Sequence, residues 1–262
     1  AKELSMKWGE KLYPFTKTGK KWILELPFST AVNYVQICVD GQEVLSPELP
    51  IAHGYGRPYN YIELPDEDGL FELRDVPHGT LTQEFYKSQI SDNWEKLIIY
   101  LPPCVPSAGL PVLYLQHGFG ESEISWSTTG KVNILMDNLI AAGKIKPFAI
   151  VMGNGMVKQR VDGELKLNRA LYGQMLVEEI LPMIEKKNQF GGSMAGLSMG
   201  SVQTTRTICE HPELFSEVGL FSGFLRHRIV GDEEHDGIIS KAYELSYLNA
   251  MDDEAFNTYF HT

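Results

Sequence analysis

The 262-residue chain has three cysteines, no continuous apolar run of 18 residues and no surplus of basic charge. Each shortage removes a class of protein. Three widely spaced cysteines, Cys38, Cys104 and Cys209, have the pattern of neither a disulfide framework nor a zinc site, and they read as buried thiols. Without a long apolar run there is no candidate for a membrane-spanning helix. Lys and Arg number 23 against 34 Asp and Glu, a net charge of −11. Such a surface repels nucleic acid and anionic membranes and tolerates a neutral substrate such as a sugar ester. No repeat or low-complexity tract occurs, and no basic-then-apolar leader opens the chain at Ala1. What remains is an ordinary globular composition, 43% hydrophobic and 22% charged. The length suits one large α/β domain, or a small domain joined to a medium one.

The texture changes near residue 75. Over 1–75 short β-rich runs alternate with turns: "KKWILELPF" (Lys20–Phe28), then "NYVQICVDG" (Asn33–Gly41) closing on a hairpin-type Asp-Gly. "SPELPIAHGYGRPYN" (Ser46–Asn60) reads as a Pro/Gly-rich loop and "YIELP" as an edge strand. The expectation is a small β-sandwich-like module. Over 76–262 "TLTQEFYKS" and "WEKLIIYLPP" read as antiparallel strands, whereas "PVLYLQHG" and "PFAIVMGNG" are the continuous apolar runs of central parallel strands. Helices are expected over "KVNILMDNLIAAGK", with Val132, Leu135, Leu139 and Ile140 on one stripe, and over Ala170–Lys187, which Pro182 must kink or restart. A strand at Ser193–Leu197, a helix from Met199 to about Glu210 and a strand at Glu217–Phe224 follow. Strands alternating with helices make a doubly wound, mostly parallel sheet.

Between the last two of those strands lies Gly196-Leu197-Ser198-Met199-Gly200. A GxSxG bounded by a strand and a helix has the form of a nucleophile elbow, a bend so sharp that side chains two residues either side of the serine collide. Gly196 and Gly200 remove those collisions. The helix starting at Met199 aims its free N–H groups at an oxyanion forming beside Ser198. A second motif, His117-Gly118-Phe119-Gly120, sits at the end of an earlier parallel strand, where open α/β sheets bind ligands. The HGxG form leaves the Phe119 N–H as the other oxyanion donor. His117 is read as a brace for that loop and not as the general base.

With "DVPHGTL", "IIYLPP", "VLYLQHGFGESEISW", "KVNILMDNLIAAGKIKPFAIVMGNG", "LVEEILPMIE", "AGLSMGS" and "LFSGF" in collinear order, the chain resembles the esterase family of the α/β-hydrolases. More narrowly it resembles the bacterial carbohydrate esterases of family 1, the feruloyl and acetyl-xylan esterases. Upstream, "GKKWILELP" and "VQICVDGQEVLSPELP" are similar to the immunoglobulin-like module that often precedes such domains. The resemblance implies Ser198 as nucleophile, the Phe119 and Met199 N–H groups as oxyanion hole, and Trp126 and Phe224 as walls for an aromatic acyl group. It implies no cofactor and no metal, a small-molecule or polysaccharide ester as substrate, and a secreted or periplasmic location.

A serine of this kind needs a histidine and a carboxylate, which the fold supplies in the order Ser, acid, His. Family members carry them on later strands, so both are expected beyond Thr262. Ser198–Asp236–His261 has the right order within the chain, but His261 is penultimate, where chains fray. The acidic loop "DEEHD" is read as solvated and not as a cation site. The competing expectation is a non-catalytic carbohydrate-binding or scaffold fragment.

Overall fold

The computed structural model describes residues 1–28, 32–65, 68–106, 109–188 and 192–222. Phe224, Asp236, His261 and the "DEEHD" loop lie outside the described residues.

Eight antiparallel strands come first: β1 (Leu4–Trp8), β2 (Lys11–Pro14), β3 (Thr16–Thr18), β4 (Lys21–Ile23), β5 (Val32–Val39), β6 (Gln42–Val44), β7 (Ile51–Gly54) and β8 (Arg57–Glu63). One sheet runs β2-β1-β5-β8-β7 with β6 also on β5, and β3 pairs with β4 apart from it. This is the small β module, with Met6, Val35, Cys38, Ala52 and Tyr61 buried. Two expectations are corrected. The stretch Ser46–Asn60 holds the β7–β8 hairpin, closed by Tyr55 (φ 52°) and Gly56 (φ 81°). Tyr is an unusual first residue for a two-residue turn that prefers Asn, Asp or Gly, so the stretch reads as loop. Strand β8 is flanked on both sides by β5 and β7 and is not an edge.

The second sheet is built from β9 (Thr80–Lys87), β10 (Trp94–Leu101), β11 (Val112–Gln116), β12 (Ala149–Gly153), β15 (Gly192–Leu197) and β16 (Phe215–Phe221), in the order β16-β15-β11-β12-β10-β9. Strands β12, β11, β15 and β16 are mutually parallel; β10 runs antiparallel to β12 and to β9. Successive residues serve opposite faces. Leu97, Ile99 and Val151 enter one core, with Tyr114, Met194, Leu176 and Ile180. Ile98, Tyr100, Ile150 and Met152 enter the other, with Val132, Met136 and Ala195. Both faces being covered is why these strands are apolar throughout. A hairpin of β13 (Lys158–Val161) and β14 (Glu164–Leu167) follows β12. The fold is that of an α/β-hydrolase behind a β-sandwich-type module.

The helices are α1 (Ser125–Thr128), α2 (Val132–Ala141), α3 (Leu171–Met175), α4 (Leu181–Asn188) and α5 (Met199–Glu210). Between α3 and α4 the chain widens into a π-helical stretch, Leu176–Ile180. Pro182 brings no N–H to the helical ladder, and the helix is interrupted just before it by this wider register and resumes as α4 at Leu181. On α2 the expected stripe shifts: Val132 and Met136 are buried, with Asp137 and Asn138, whereas Leu135 and Leu139 are half-buried. The two polar residues hold the segment joining the two sheets. Asn138 Nδ2 donates to the carbonyls of Leu70 at 2.8 Å and Glu72 at 2.9 Å. Asp137 accepts from the Tyr100 hydroxyl (2.6 Å), the Gly79 N–H (2.9 Å) and His78 Nδ1 (2.9 Å). Of the three thiols, Cys38 and Cys209 are buried as expected; Cys104 is exposed, in a turn at φ 60°.

The His78–Asp137 contact makes stability depend on pH. The Asp137 hydrogen bond raises the His78 pKa above its ordinary 6.5. A histidine raised on folding contributes stability that is complete below the unfolded pKa and disappears as pH climbs through the folded one. We expect His78→Gln to lower the urea midpoint most below about pH 6.5, the difference shrinking as pH rises above that. Urea titrations of both proteins across that range check it.

Candidate active site

From β11 the chain crosses to β12 on one side, and later returns to β15 on the other. The gap between the carboxyl ends of β11 and β15 is therefore the topological switch point, the place where open α/β sheets bind ligands. His117-Gly118-Phe119-Gly120 leaves β11 at that point and Ser198 leaves β15 beside it.

Ser198 sits between β15 and α5 at φ 52° and ψ −110°, half-buried, with no side-chain capping bond. A non-glycine residue at such angles is strained and persists only where its surroundings hold it. Here the Ser198 N–H donates to the Phe221 carbonyl at 2.9 Å. Its own carbonyl accepts from the Ser201 N–H (3.0 Å), the Val202 N–H (3.3 Å) and Ser201 Oγ (2.6 Å). The flanking glycines are explained by distance. A Cβ on Gly196 would lie 2.2 Å from the Gly200 carbonyl oxygen, and one on Gly200 would lie 2.8 Å from the carbonyl oxygens of Gln116 and His117. The second contact also shows that the start of α5 packs directly on the end of β11, so elbow and loop are neighbours.

His117 is 1% exposed. The Gly155 N–H donates to its Nε2 at 3.0 Å, which assigns the proton to Nδ1, and Nδ1 donates to the Gly118 carbonyl at 2.8 Å. Burial lowers its pKa, so the ring is neutral. With both nitrogens engaged it cannot take a proton from Ser198. Glu121 Oε2 accepts the Gly118 N–H at 2.8 Å, and the Glu121 N–H closes a turn onto the Gly118 carbonyl at 3.3 Å. Phe119 is 46% exposed, and among the described residues its N–H meets no acceptor. Met199 is buried, and its N–H is the first of α5, without an intrahelical partner.

Trp126 spends its indole N–H on the Gln116 carbonyl (2.9 Å) and packs half-buried on the core of that face. It therefore braces the strand leading into the loop. Its ring lies 5.8 Å from that of Phe221, which is 46% exposed. Three neighbours of the site escape sequence reasoning: Phe221, Glu121 and Arg169, whose guanidinium lies 5.2 Å over the Phe119 ring. Glu121 and Phe221 lie inside the blocks "VLYLQHGFGESEISW" and "LFSGF", where nothing singles them out, and Arg169 lies in neither. Phe224 and the expected acid and histidine fall outside the described residues.

Residues 88–259 match the model of the esterase family described as "Putative esterase". The chain belongs to that family. Among its relatives is an endo-1,4-beta-xylanase/feruloyl esterase of Xylanibacter ruminicola, 34% identical over 213 residues, which are 76% of this chain and 29% of that protein. The chain thus spans under a third of the curated relative. Among solved structures, a CE1 ferulic acid esterase of Anaeromyces mucronatus in complex with ferulic acid aligns at TM-score 0.55 and 20% identity, over 60% of this chain and 63% of that one. The enterobactin esterase of Shigella flexneri in the presence of enterobactin aligns at TM-score 0.63 and 13% identity, over 86% and 68%. At these identities the two structures share the esterase's fold.

Proposed function

We propose that this esterase cleaves carboxylic esters on plant polysaccharide, feruloyl esters first and acetyl esters second, through an acyl-enzyme on Ser198. The observation that carries the reading is the strained Ser198 backbone at the switch point, beside a loop with an unused N–H. The relative from Xylanibacter ruminicola supports the choice of ester. Ser198 Oγ attacks the ester carbonyl while its proton passes to a histidine outside the described residues. The Phe119 and Met199 N–H groups receive the oxyanion. The tetrahedral intermediate collapses with loss of the sugar hydroxyl, which takes up the proton. Water then attacks the acyl carbon and releases the acid and Ser198. The protein is exported, to the periplasm or the medium.

A fluorophosphonate probe followed by mass spectrometry tests the nucleophile, the expected adduct being on Ser198. Turnover of methyl ferulate against 4-nitrophenyl acetate tests the acyl preference. Absence of labelling together with retained binding to xylan would overturn the reading in favour of a binding module. The loop brace offers a finer test. Glu121→Ala removes the acceptor that holds the Gly118 N–H, and we expect kcat to fall about tenfold with KM changed less than about twofold. Glu121→Gln, which keeps an acceptor oxygen, is expected to lose less.

A further inference from the structure

The oxyanion loop is not held by its own domain alone: the Gly56 N–H, in the β7–β8 turn of the N-terminal module, donates to the Gly120 carbonyl at 3.0 Å. That turn needs no inward N–H from Gly56 for its own strand pairing, whose register runs Gly54↔Arg57 outward from it. The approach is close. A Cβ on Gly120, which sits at φ 75°, would lie 2.1 Å from the Gly56 nitrogen and 2.5 Å from Tyr55 Cα. The same face of the module is tied down nearby. The Glu63–Lys131 ion pair holds the start of α2, and the Tyr34 hydroxyl bonds the Thr129 side chain just past α1.

In a trans peptide the C=O and N–H point in opposite directions, and the described chain has no cis bond. The Gly120 carbonyl shares its peptide plane with the Glu121 N–H. That N–H donates to the Gly118 carbonyl at 3.3 Å, and the Gly118 carbonyl shares its plane with the Phe119 N–H. Gly56 therefore stands at the head of a hydrogen-bonded file of two peptide units whose last N–H belongs to Phe119. Each bond in such a file fixes the next plane and polarises it. We propose that the Tyr55–Gly56 turn of the N-terminal module is a positioning element for the oxyanion hole, acting through Gly120 and Glu121 on the Phe119 N–H. This rests on the reading of Phe119 as an oxyanion donor.

The molecule contains its own control. Asp40 (φ 50°) and Gly41 (φ 82°) close the β5–β6 hairpin of the same module at nearly the same φ angles as Tyr55 and Gly56, and among the described residues they make no hydrogen bond to the loop. Neither Gly41 nor Gly56 has a crowding neighbour: a Cβ at Gly56 meets nothing within 4 Å, and one at Gly41 meets Glu3 Oε1 at 3.9 Å. Alanine at either position therefore strains the turn to a similar degree without a clash. In the full-length protein, with 4-nitrophenyl acetate as substrate, Gly56→Ala is expected to lower kcat about tenfold with KM within about twofold of wild type. Amide hydrogen exchange over residues 117–121 is expected to quicken in parallel. Gly41→Ala is expected to leave kcat and that exchange unchanged, and Gly56→Asn, which tolerates positive φ, to restore most of the rate. Equal losses in the two alanine variants, or wild-type kcat and exchange in Gly56→Ala, would overturn the proposal. Ser198→Ala separates the two layers: if it stays active the site reading falls and the file with it, whereas an inactive Ser198→Ala beside a fully active Gly56→Ala removes the file and leaves the site.

Discussion

Replacing Ser198 with alanine is expected to lower kcat by roughly 10⁵-fold or more while leaving the thermal midpoint nearly unchanged. The two halves of that expectation have one origin. Among the described residues the Ser198 hydroxyl makes no capping bond to α5, so its loss removes no interaction there that holds the fold. Alanine keeps a Cβ and so keeps the backbone strain at φ 52°. Ser198→Gly removes the Cβ as well. Relief of backbone strain, of order 1–3 kcal/mol, then outweighs the roughly 0.5–1 kcal/mol that glycine costs through the freedom of the unfolded chain. Ser198→Gly is thus expected to be inactive and at least as stable as Ser198→Ala in urea titrations. A glycine variant clearly less stable than the alanine variant would show that the bend is unstrained and not held for function.

The elbow is legible in the sequence because its requirement is steric and local. Two glycines, a preceding apolar strand and a following helix are all that the bend demands, and α5 begins and ends where that pattern places it. The parallel strands are legible for a similar reason, since burial on both faces leaves no polar alternation to confuse the reading. What escapes is carried by contacts between distant residues. Asp137 looks like a surface residue of an amphipathic helix until Tyr100, His78 and Gly79 converge on it from 37 to 59 positions away. The Tyr55–Gly56 turn lacks the usual first residue, and its significance lies in a bond to Gly120, far along the chain. The β13–β14 hairpin is different: Asp162-Gly163 announces it, but its strands are largely exposed and rich in charge, and the alternating Leu165 and Leu167 of β14 face no core. Trp126 has a tie that no spacing announces, its indole N–H donating to the Gln116 carbonyl and its half-buried ring packing on the core of that face.

Gly196→Ala is expected to be among the most damaging single-methyl changes in the molecule. The added Cβ would meet the Gly200 carbonyl carbon at 2.3 Å and its oxygen at 2.2 Å, with the Ser201 nitrogen at 2.8 Å. All three are backbone atoms in the first turn of α5, so no side chain can rotate away and the helix itself must move off β15. Overpacking of a core typically costs about 1–3 kcal/mol even when side chains can yield, so a loss of at least about 3 kcal/mol is expected here. Activity should fall further than stability. The displaced turn carries the Met199 N–H and the carbonyl contacts that hold Ser198, and a shift of about 1 Å in a reacting group costs on the order of 10²-fold. Gly219→Ala, in the neighbouring strand β16, provides the scale: its Cβ would lie 3.0 Å from the Ala195 Cβ, a contact that a small outward shift of the strand relieves. Urea midpoints and kcat measured for both variants should show Gly219→Ala mildly destabilised and active, and Gly196→Ala strongly destabilised with kcat at least about a hundredfold down in the folded fraction. A Gly196→Ala protein with the activity and stability of Gly219→Ala would mean that the sharp turn can open freely, and the argument that it holds Ser198 toward the loop would fail.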